Sequence, residues 1–447
     1  MDATEIALAQ RNVPRYTSYP TAPHFHDGIG PADYAEWLTE LPATTNLSLY
    51  LHVPFCSEMC LYCGCNTKAV LRRAPIEAYA DRLIDEIDIV GTLTNGRKVR
   101  RLHWGGGTPS MLGAARLEQL IGTLHDAFDL SQLCEHAIEL DPRRVNRELV
   151  RALKAIGITR ASLGVQDFSP HVQQAIGRVQ PFDVVAQSVS LLRAAGIASI
   201  NIDLMYGLPQ QTGDDVMRSA VLAASLNPER LALFGYAHVP WFKIHQRRIR
   251  ETELPGTAER LDQARIAAET LTALAYRPIG LDHFADPGDE LTFAQSDGRM
   301  RRNFQGYTTD DADALIGLGS SSIGKLPQGY VQNAVDVGGY SRAVADGRLA
   351  TVKGIAFSDD DRLRAYIIER LMCDLAIDLD KINARIEAPH HFADEFERLA
   401  PLAANGLIEI DGSRITVTKQ GRPFVRLAAS AFDAYLPSTK AQHSAAV

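Results

Sequence analysis

The chain has 447 residues, of which 46% are hydrophobic, 22% charged and 7% aromatic, and its formal net charge is -8. This composition is typical of a globular protein and excludes collagen, coiled coil and wholly disordered chains. The 54 acidic side chains outnumber the 46 basic ones, which argues against a broad polyanion-binding surface. We therefore expect no nucleic-acid partner. The first twenty residues have no apolar stretch with a basic flank, and no eighteen apolar residues run together. We therefore expect a cytoplasmic protein without membrane contact.

Six short runs rich in β-branched and apolar residues recur along the chain, and a helical pattern follows each. The runs are Leu47–Val53, Arg101–Trp104, Ala137–Leu140, Arg160–Val165, Ser199–Leu204 and Leu231–Tyr236. Residues 75–90 illustrate the helical pattern, with a proline at the start and apolar residues three and four apart. Repeated strand and helix units predict a parallel sheet. Because a full TIM barrel has eight such units, six predict an α/β fold with an open, partial (β/α)6 barrel.

The pattern divides the chain into five predicted segments. Residues 1–44 form an N-terminal arm, residues 45–310 the partial barrel, and residues 311–355 a connecting segment that closes the barrel mouth. Residues 356–436 form a smaller, mostly helical C-terminal domain with a hairpin at Leu407–Thr418, and residues 437–447 are a disordered tail. Helices followed by a hairpin also occur in DNA readers. However, residues 358–435 carry fourteen acidic and ten basic side chains, which favours a lid or packing role.

Four of the six cysteines fall within ten residues, directly after the first predicted strand. Cys56, Cys60 and Cys63 have the spacing CxxxCxxC, which lets three thiolates reach one face of a 4Fe-4S cubane. A zinc site, the alternative, usually needs a second pair of cysteines well downstream, and the sequence has no such pair. Three protein ligands would leave one iron open to an exogenous ligand. Cys65 as a fourth ligand would close that position, so we assign it a positioning role beside the cluster.

CxxxCxxC after the first strand of a partial barrel resembles the signature of radical S-adenosylmethionine (SAM) enzymes. The resemblance implies that Cys56, Cys60 and Cys63 hold a 4Fe-4S cluster, and that SAM chelates the fourth iron through its methionyl amine and carboxylate. Reduction would then cleave SAM to methionine and a 5'-deoxyadenosyl radical. The second strand runs into WGGGTPS at residues 104–110, which is similar to the glycine-rich SAM motif of these enzymes. A plain glycine turn is the alternative.

Polar residues end three of the other strands, where a barrel of this kind has its active face. Glu139, Gln166 and Asp203 would point into the barrel mouth, where a carboxylate suits a ribose hydroxyl or an amino group. Arg178 could bind a carboxylate bidentately, although a solvated arginine is equally compatible with its segment. Ala237 follows the sixth strand and would contact the adenosine. Ile323 lies in IGLGSSSIG, which lacks the glycine spacing of a dinucleotide loop but could line the barrel mouth.

Three further segments narrow the resemblance: PRYTSYPTA at residues 14–22, CGCN at 63–66 and RNFQGYTT at 302–309. Together they resemble the oxygen-independent coproporphyrinogen III oxidases of bacterial haem synthesis, and the likeness runs from Pro14 to about Leu436. It implies two SAM molecules. It also implies a set of residues that bind one or the other: Tyr50, Tyr62, Gly106, Gly107, Thr108, Glu139, Gln166, Arg178, Asp203, Ala237 and Ile323. Tyr62 departs from the family, which often has phenylalanine there. Tyr50 and Cys65 are the candidates for a catalytic role.

The implied reaction removes two propionate carboxyls of coproporphyrinogen III as carbon dioxide and leaves the vinyl groups of protoporphyrinogen IX. An electron donor such as flavodoxin or ferredoxin would be needed, and we expect a monomer. Because the substrate carries four carboxylates, Arg15 and Arg302 are candidate partners. Tyr16 and Tyr19 could pack on the macrocycle edge or anchor the arm. A related haem chaperone without this activity is the alternative. Such relatives typically lack the counterpart of Cys65 and the PRYTSYP and RNFQGYTT segments.

Overall fold

The structure, a computed structural model, describes residues 3–384 and 392–436; the tail predicted at 437–447 lies outside the described residues. The strands are β1 Asn46–Val53, β2 Phe55–Cys56, β3 Lys68–Ala69, β4 Lys98–Gly106, β5 Glu135–Leu140, β6 Arg160–Gln166, β7 Ser199–Tyr206, β8 Arg230–Gly235, β9 Arg277–Ile279, β10 His283–Ala285, β11 Arg301–Asn303, β12 Gly306–Thr308, β13 Ala314–Leu318, β14 Ile323–Leu326, β15 Gly329–Asn333, β16 Thr351–Ala356, β17 Ala376–Asp378, β18 Ile408–Asp411 and β19 Arg414–Val417.

The helices alternate with the strands through the first two thirds of the chain. They are α1 Ala3–Ala9, α2 Pro31–Thr39, α3 Arg73–Thr94, α4 Ala114–Ala127, α5 Arg147–Ala155, α6 Pro170–Ala175, α7 Phe182–Ala194, α8 Gly213–Ser225, α9 Thr257–Ala273, α10 Glu290–Ser296, α11 Val337–Ala345, α12 Asp359–Asp374, α13 Leu379–Asn383, α14 Ala393–Ala404 and α15 Val425–Ser430. Within the described ranges, none of these helices is long and apolar enough to cross a membrane.

The central sheet contains the six predicted parallel strands in chain order, β1-β4-β5-β6-β7-β8. The prediction of an open, six-unit α/β arrangement is therefore confirmed. Helix α3 extends beyond the predicted 75–90 by two residues at its start and four at its end, and it ends at Asn95 in the left-handed conformation. Because all six strands run the same way, their carboxyl ends meet at one edge of the sheet. The loops that follow these ends carry the residues of the candidate site.

Residues 311–355, expected as a connecting segment, contribute strands to the same sheet. β13 pairs in parallel with β1 on the side away from β4, and β14, β15 and β16 continue the sheet in antiparallel order. The run ALIGL of β13 is only five residues long and follows an acidic segment, so its pattern was too short to predict a strand. As a result β1 is an interior strand. The domain limits themselves stay a prediction.

The protein has a second hydrophobic core beside the one that covers the sheet. This core is formed by α12, α15 and the hairpin β18–β19, whose predicted turn is confirmed, with Gly412 at a φ of 58°. The N-terminal arm also enters it, because Leu8, Val13 and Tyr16 are buried there. The arm therefore packs against the C-terminal part of the protein and is not exposed to solvent along these residues. Burial of this kind fixes the course of residues 8–19 over the sheet's carboxyl edge.

Candidate functional site

The cysteine loop is tied to the glycine-rich segment by backbone hydrogen bonds. Gly107 N–H donates to the carbonyl of Val53, and Thr108 N–H donates to the carbonyl of Phe55, each at 2.8 Å. Strand β2, which contains Cys56, pairs in parallel with β3 on the far side of the loop. The loop therefore has two anchors, one before its first cysteine and one after its last. The two motifs that the sequence indicated are parts of one structure.

The three cysteines of the CxxxCxxC motif lie among hydrogen-bond donors. Thr108 Oγ1 donates to Cys56 Sγ at 3.5 Å, and the buried Cys60 Sγ accepts from Arg178 Nη1 at 3.5 Å. A hydrogen bond with Cys65, aided by nearby cationic side chains, lowers the pKa of Cys63 to about 7. Donors and cations favour the thiolate form that metal ligation needs. All six cysteines of the chain are free thiols.

The hydrogen-bond donors around these thiols suit an iron–sulfur cluster, whose protein ligands are thiolates. Among the described residues, no group of three or more His, Cys, Asp or Glu side chains could hold one ion. In a 4Fe-4S cluster each thiolate binds a different iron, so the three sulfurs need to surround a cluster and not a point. Cys65 is exposed, and its backbone carbonyl is held from outside the loop by Lys243 Nζ at 2.9 Å.

The glycines of the WGGGTPS segment make room for the protein's own side chains. A Cβ on Gly106, whose φ is 110°, would lie 2.7 Å from the ring of His52. A Cβ on Gly107 would lie 2.6 Å from the carbonyl oxygen of Phe55. A side chain at Gly106 would displace His52 of β1, and a side chain at Gly107 would push the cysteine loop away from β4. The structural requirement for glycine therefore holds whether or not a cofactor also approaches this backbone.

Tyr50 begins a chain of contacts from the middle of β1 to the cysteine loop. Its hydroxyl lies 3.1 Å from Nδ1 of His52, and Nε2 of His52 donates to the carbonyl of Asn66 at 2.9 Å. The ring of Tyr50 also stacks on His103, with centroids 5.8 Å apart. Burial lowers the pKa of His52, which keeps this imidazole neutral. Tyr50 of β1 is thus held against His103 of β4, and hydrogen bonds through His52 link it to Asn66, the residue after Cys65.

Two of the predicted strand-end carboxylates face the same region with different surroundings. Glu139 accepts hydrogen bonds from Gly106 N–H and His103 Nε2, each at 3.2 Å. Asp203 accepts from Asn201 Nδ2 at 2.7 Å and from Ser162 Oγ at 3.0 Å. Burial, with the charge of Glu139, raises the pKa of Asp203 to about 6. A carboxylate of this kind is suited to accept a hydrogen bond from a hydroxyl group.

Other candidates lie around the same edge. Gln166 has a left-handed backbone (φ 73°) at an irregularity between β6 and β7, which turns the end of its strand. Gln246 Nε2 donates to the carbonyls of Tyr62 at 2.9 Å and of Ala237 at 3.4 Å, so these two residues share one partner. The backbone of Ile323 would lie 2.8 Å from a Cβ on Gly317, the register partner of Tyr50. The strand residues among the predicted positions therefore lie on six strands, β1, β4, β5, β6, β7 and β14, and Ala237 lies in the loop after β8.

A cavity of about 1720 Å³ opens beside these residues, and its wall includes Ala237. Two of the proposed substrate residues, Arg15 and Arg302, line it. Arg15 Nη2 donates to the carbonyl of Gly235 at 3.0 Å, and Arg302 Nη2 donates to the carbonyl of Arg15 at 3.4 Å. The PRYTSYPTA and RNFQGYTT segments, distant in sequence, thus meet at one wall of this cavity.

The structure places Tyr16 and Tyr19 away from the cavity wall. Each side chain is 4% exposed in the second core. The Tyr16 hydroxyl donates to Asp433 Oδ2, and the Tyr19 hydroxyl accepts from Ala434 N–H, each at 3.0 Å. Of the two alternatives for these residues, macrocycle packing and anchoring of the arm, the contacts favour anchoring. Both rings anchor the arm to the C-terminal segment, because their hydroxyls already have partners there.

The segment after β8 holds the cysteine loop, although no motif in the sequence predicted this. His245 Nε2 donates to the carbonyl of Cys63 at 2.7 Å, while Lys243 and Gln246 hold Cys65 and Tyr62. The segment WFKIHQRRIR has no motif, so its place over the loop could not be found from local sequence. Four further arginines lie on the cavity wall without having been predicted there: Arg260, Arg265, Arg422 and Arg426. Their only signal was residue type.

Comparison with known proteins matches two parts of the chain to described families. Residues 50–223 match the radical SAM superfamily and residues 357–424 match the HemN C-terminal domain. A coproporphyrinogen III oxidase of Escherichia coli, described as a radical SAM enzyme, has a solved structure similar to this one. The TM-score is 0.89, with 36% identity over 95% of this chain and all of that one.

Curated relatives match over nearly the whole length. An oxygen-independent coproporphyrinogen III oxidase of Bradyrhizobium diazoefficiens is 49% identical over 448 residues, which covers 99% of both chains. One from Pseudomonas aeruginosa is 40% identical over 447 residues and covers 99% of this chain and 97% of that one. These relatives match nearly the whole chain, and the solved structure has the same fold. The chain therefore belongs to the family of oxygen-independent coproporphyrinogen III oxidases.

Proposed function

We propose that this protein oxidatively decarboxylates two propionate side chains of coproporphyrinogen III to the vinyl groups of protoporphyrinogen IX, without oxygen, in haem synthesis. The observation that carries the proposal is a cysteine loop beside a large cavity lined with arginines, within a fold shared with enzymes of that name. The alternative, a haem chaperone without this activity, is not favoured by relatives that are named as oxidases over their whole length.

The family uses a 4Fe-4S cluster with SAM. When bound, the cluster and SAM would supply a 5'-deoxyadenosyl radical, a species able to abstract hydrogen from a propionate β-carbon. We assign Cys56, Cys60 and Cys63 as the cluster ligands. The donors on Cys56 and Cys60 would offset the negative charge of ligated thiolates. Cys65 is assigned a positioning role, because a fourth thiolate ligand would close the iron position that SAM needs. Its side chain hydrogen-bonds to Cys63, and Lys243 holds its backbone carbonyl.

The residues proposed to hold SAM surround the carboxyl edge of the sheet. Glu139 and Asp203 supply carboxylates for amino or ribose groups, and Arg178 supplies a buried guanidinium close to Cys60. Contacts to one or the other of two SAM molecules are assigned to the full set of Tyr50, Tyr62, Gly106, Gly107, Thr108, Glu139, Gln166, Arg178, Asp203, Ala237 and Ile323. Tyr50 is also assigned a catalytic role, because it links β1 to the cysteine loop through His52.

The cavity suits a macrocycle with several carboxylates. Typical small-molecule sites measure about 300–1,000 Å³, and this one is larger, as a tetrapyrrole beside a cofactor requires. Aromatic side chains at Phe234, Tyr236 and Trp241 cover part of its wall. Arg15 and Arg302 are proposed to bind substrate carboxylates there, since guanidinium and carboxylate pair bidentately.

An electron donor such as flavodoxin or ferredoxin is proposed as the redox partner. Arg247 and Arg248 are exposed in the segment that holds the cysteine loop, which supports docking of an acidic protein at this face. A monomer in the cytoplasm is the proposed working state. A reducing compartment keeps the six free cysteines available for cluster assembly.

Anaerobic turnover tests the function directly. Reconstituted protein with reductant, SAM and coproporphyrinogen III should yield protoporphyrinogen IX, measured by chromatography of the oxidised porphyrins, together with 5'-deoxyadenosine. Protein without SAM is the control. Stable haem uptake with no protoporphyrinogen would instead select the chaperone. Zinc without acid-labile sulfide in the purified protein would exclude the radical reaction.

A further inference from the structure

Arg265, on the cavity wall, is exposed and paired with Asp262 and Glu269. Five other arginines, from four distant parts of the chain, also line the cavity. We call them the arginine cluster: Arg15 of the N-terminal arm, Arg260 of α9, Arg302 of β11, and Arg422 and Arg426 near the C-terminal end of the described chain. The protein as a whole carries a net charge of -8. A concentration of guanidinium groups around one cavity is therefore a local feature that composition does not predict.

Asp282 is the carboxylate that lies among the arginine cluster. Burial would raise its pKa, but a hydrogen bond from His283 and the charges of Arg302 and Arg15 lower it to about 2. One carboxylate cannot neutralise five guanidinium groups.

The other carboxylates on the cavity wall have partners of their own. Asp262 and Glu269 accept hydrogen bonds from Arg265 at 2.6 and 2.7 Å, and Glu5 accepts from Gln420 Nε2 at 2.6 Å. Because these groups are engaged at the surface, they leave the arginine cluster with an excess of positive charge. An anionic ligand would complete the balance.

Two members of the arginine cluster have buried donors that are not used by the protein. Nε and Nη1 of Arg302 and Nη2 of Arg422 are buried and have no hydrogen-bond partner within the described residues. The Arg302 guanidinium lies over the ring of Tyr307, 4.4 Å from its centroid, which fixes its plane. A buried guanidinium donor without an acceptor costs free energy unless a ligand oxygen completes it.

Arg260 joins this site to the strand ends. A Cβ on Gly235 would lie 3.3 Å from Nη2 of Arg260, and a Cβ on Gly207, whose φ is 80°, would lie 2.9 Å from its Cζ. Glycine at both positions leaves space for the guanidinium at the carboxyl ends of β7 and β8. Ala237, an assigned SAM contact, follows two residues after Gly235. The cationic site therefore reaches the region where the reaction is proposed to occur.

We propose that the arginine cluster is a binding site for the carboxylates of a tetrapyrrole, and that it holds the propionates that are not being decarboxylated. The identity of the ligand rests on the proposed function. Carboxylates bind arginine forks bidentately, and the aromatic wall of the cavity covers the rings between them. A site of this kind would select substrates by their number of carboxylates. It would also orient one propionate towards the cofactor while others stay anchored.

Binding can be measured without turnover. The reconstituted holoenzyme is titrated by tryptophan fluorescence with coproporphyrin III, a stable oxidised form with four carboxylates, and with mesoporphyrin IX, which has two. We expect tighter binding of coproporphyrin III, and about tenfold weaker binding in Arg302→Gln and Arg260→Gln. Arg302→Lys should recover part of the affinity because it keeps the charge. Arg299→Gln is the matched control, since Arg299 is exposed and paired with Asp297.

Turnover separates this proposal from the proposed function. In an active protein the two glutamine variants should raise KM for coproporphyrinogen III, while iron content, circular dichroism and SAM affinity stay at wild-type values. If wild-type protein makes no protoporphyrinogen, the proposed reaction is refuted. If its glutamine variants nevertheless lose coproporphyrin binding, the carboxylate site still stands. Normal turnover with unchanged affinity in both variants, or equal weakening in Arg299→Gln, would refute the carboxylate site.

Discussion

Arg178 Nη1 donates a hydrogen bond to Sγ of Cys60 at 3.5 Å, while its Nη2 donates to the carbonyl of Gly164 at 2.6 Å and pairs with Asp141 at 3.4 Å. The guanidinium therefore links the cysteine loop to the ends of β5 and β6. It brings a positive charge to a proposed cluster ligand in a buried position. Such a charge favours the reduced, more negative cluster.

Replacement of Arg178 tests this link. Arg178→Gln should lower the reduction potential of the cluster and reduce turnover by about tenfold or more, because a buried charge-assisted contact is lost. Anaerobic redox titration followed by electron paramagnetic resonance measures the potential, and iron analysis shows whether the cluster is retained. Arg144→Gln, which removes an exposed guanidinium bonded to Ser57, is the control. An unchanged potential in Arg178→Gln would contradict the proposed contact.

The four clustered cysteines should separate into two groups by metal content. Serine at Cys56, Cys60 or Cys63 should abolish the 4Fe-4S cluster, because each thiolate is assigned to one iron. Cys65→Ser should retain the cluster but lose activity. Iron and acid-labile sulfide analysis after anaerobic reconstitution measures this, with Cys134→Ser as the exposed control outside the loop. Loss of iron in Cys65→Ser would show that this residue is a ligand.

Alanine at Gly107 should disrupt the cysteine loop. Its Cβ would lie 2.6 Å from the Phe55 carbonyl oxygen, so the loop must move, at an expected cost of about 1–3 kcal/mol. The measured results should be a lower iron content and a lower midpoint of unfolding in urea. Gly64→Ala is the matched control in the same loop, because no atom lies within 4 Å of that Cβ. Equal iron contents in the two variants would contradict the claim that the cysteine loop requires glycine at position 107.

Glu86 should make the stability depend on pH. Its buried carboxyl accepts hydrogen bonds from Gly319 N–H, Asn333 Nδ2 and the Tyr340 hydroxyl at 2.6, 2.6 and 2.8 Å. Burial, only partly opposed by these donors, raises its pKa from 4.5 to about 7. The folded protein thus binds this proton more tightly than the unfolded chain. The resulting stability is present at low pH and is lost as pH rises from about 4.5 to about 7.

The shift corresponds to at most about 3 kcal/mol across this range. Wild-type protein should therefore lose more of its urea resistance between pH 5 and pH 8 than Glu86→Gln, which cannot ionise. Anaerobic unfolding followed by circular dichroism at both pH values measures the difference. Glu118→Gln, at an exposed position of α4, should behave as wild type. Parallel pH dependence in wild type and Glu86→Gln would exclude the ionisation of Glu86 as its source.

Charge reversal in the segment over the cysteine loop should affect reduction by a protein donor. Arg247→Glu with Arg248→Glu should slow turnover several-fold with flavodoxin, because charge complementarity steers association. The same variant should turn over normally with dithionite, a small reductant. Arg218→Glu, exposed on α8, is the control. Equal losses with both reductants would place the defect in the site itself and not in docking.

The local sequence was sufficient for features that depend on short-range patterns. Six parallel strands, the helix after the cysteine loop and the hairpin at Gly412 follow from side-chain periodicity and turn residues, which act within a few positions of the chain. The CxxxCxxC spacing likewise places three thiols on one loop after β1. The resemblance to the family, carried by the PRYTSYPTA, CGCN and RNFQGYTT segments, is confirmed by relatives that match over nearly the whole length.

Tertiary structure decided what the same residues contact. β13 joins β1 through a parallel pairing that no local pattern contains, and Tyr16 and Tyr19 became anchors because the second core offered partners to their hydroxyls. Arg260 and Arg426 are ordinary arginines in sequence, and they share a cavity only because the arm, the barrel and the C-terminal part converge there. Contacts between residues hundreds of positions apart depend on how whole elements pack, and a single sequence does not encode that packing in any local pattern.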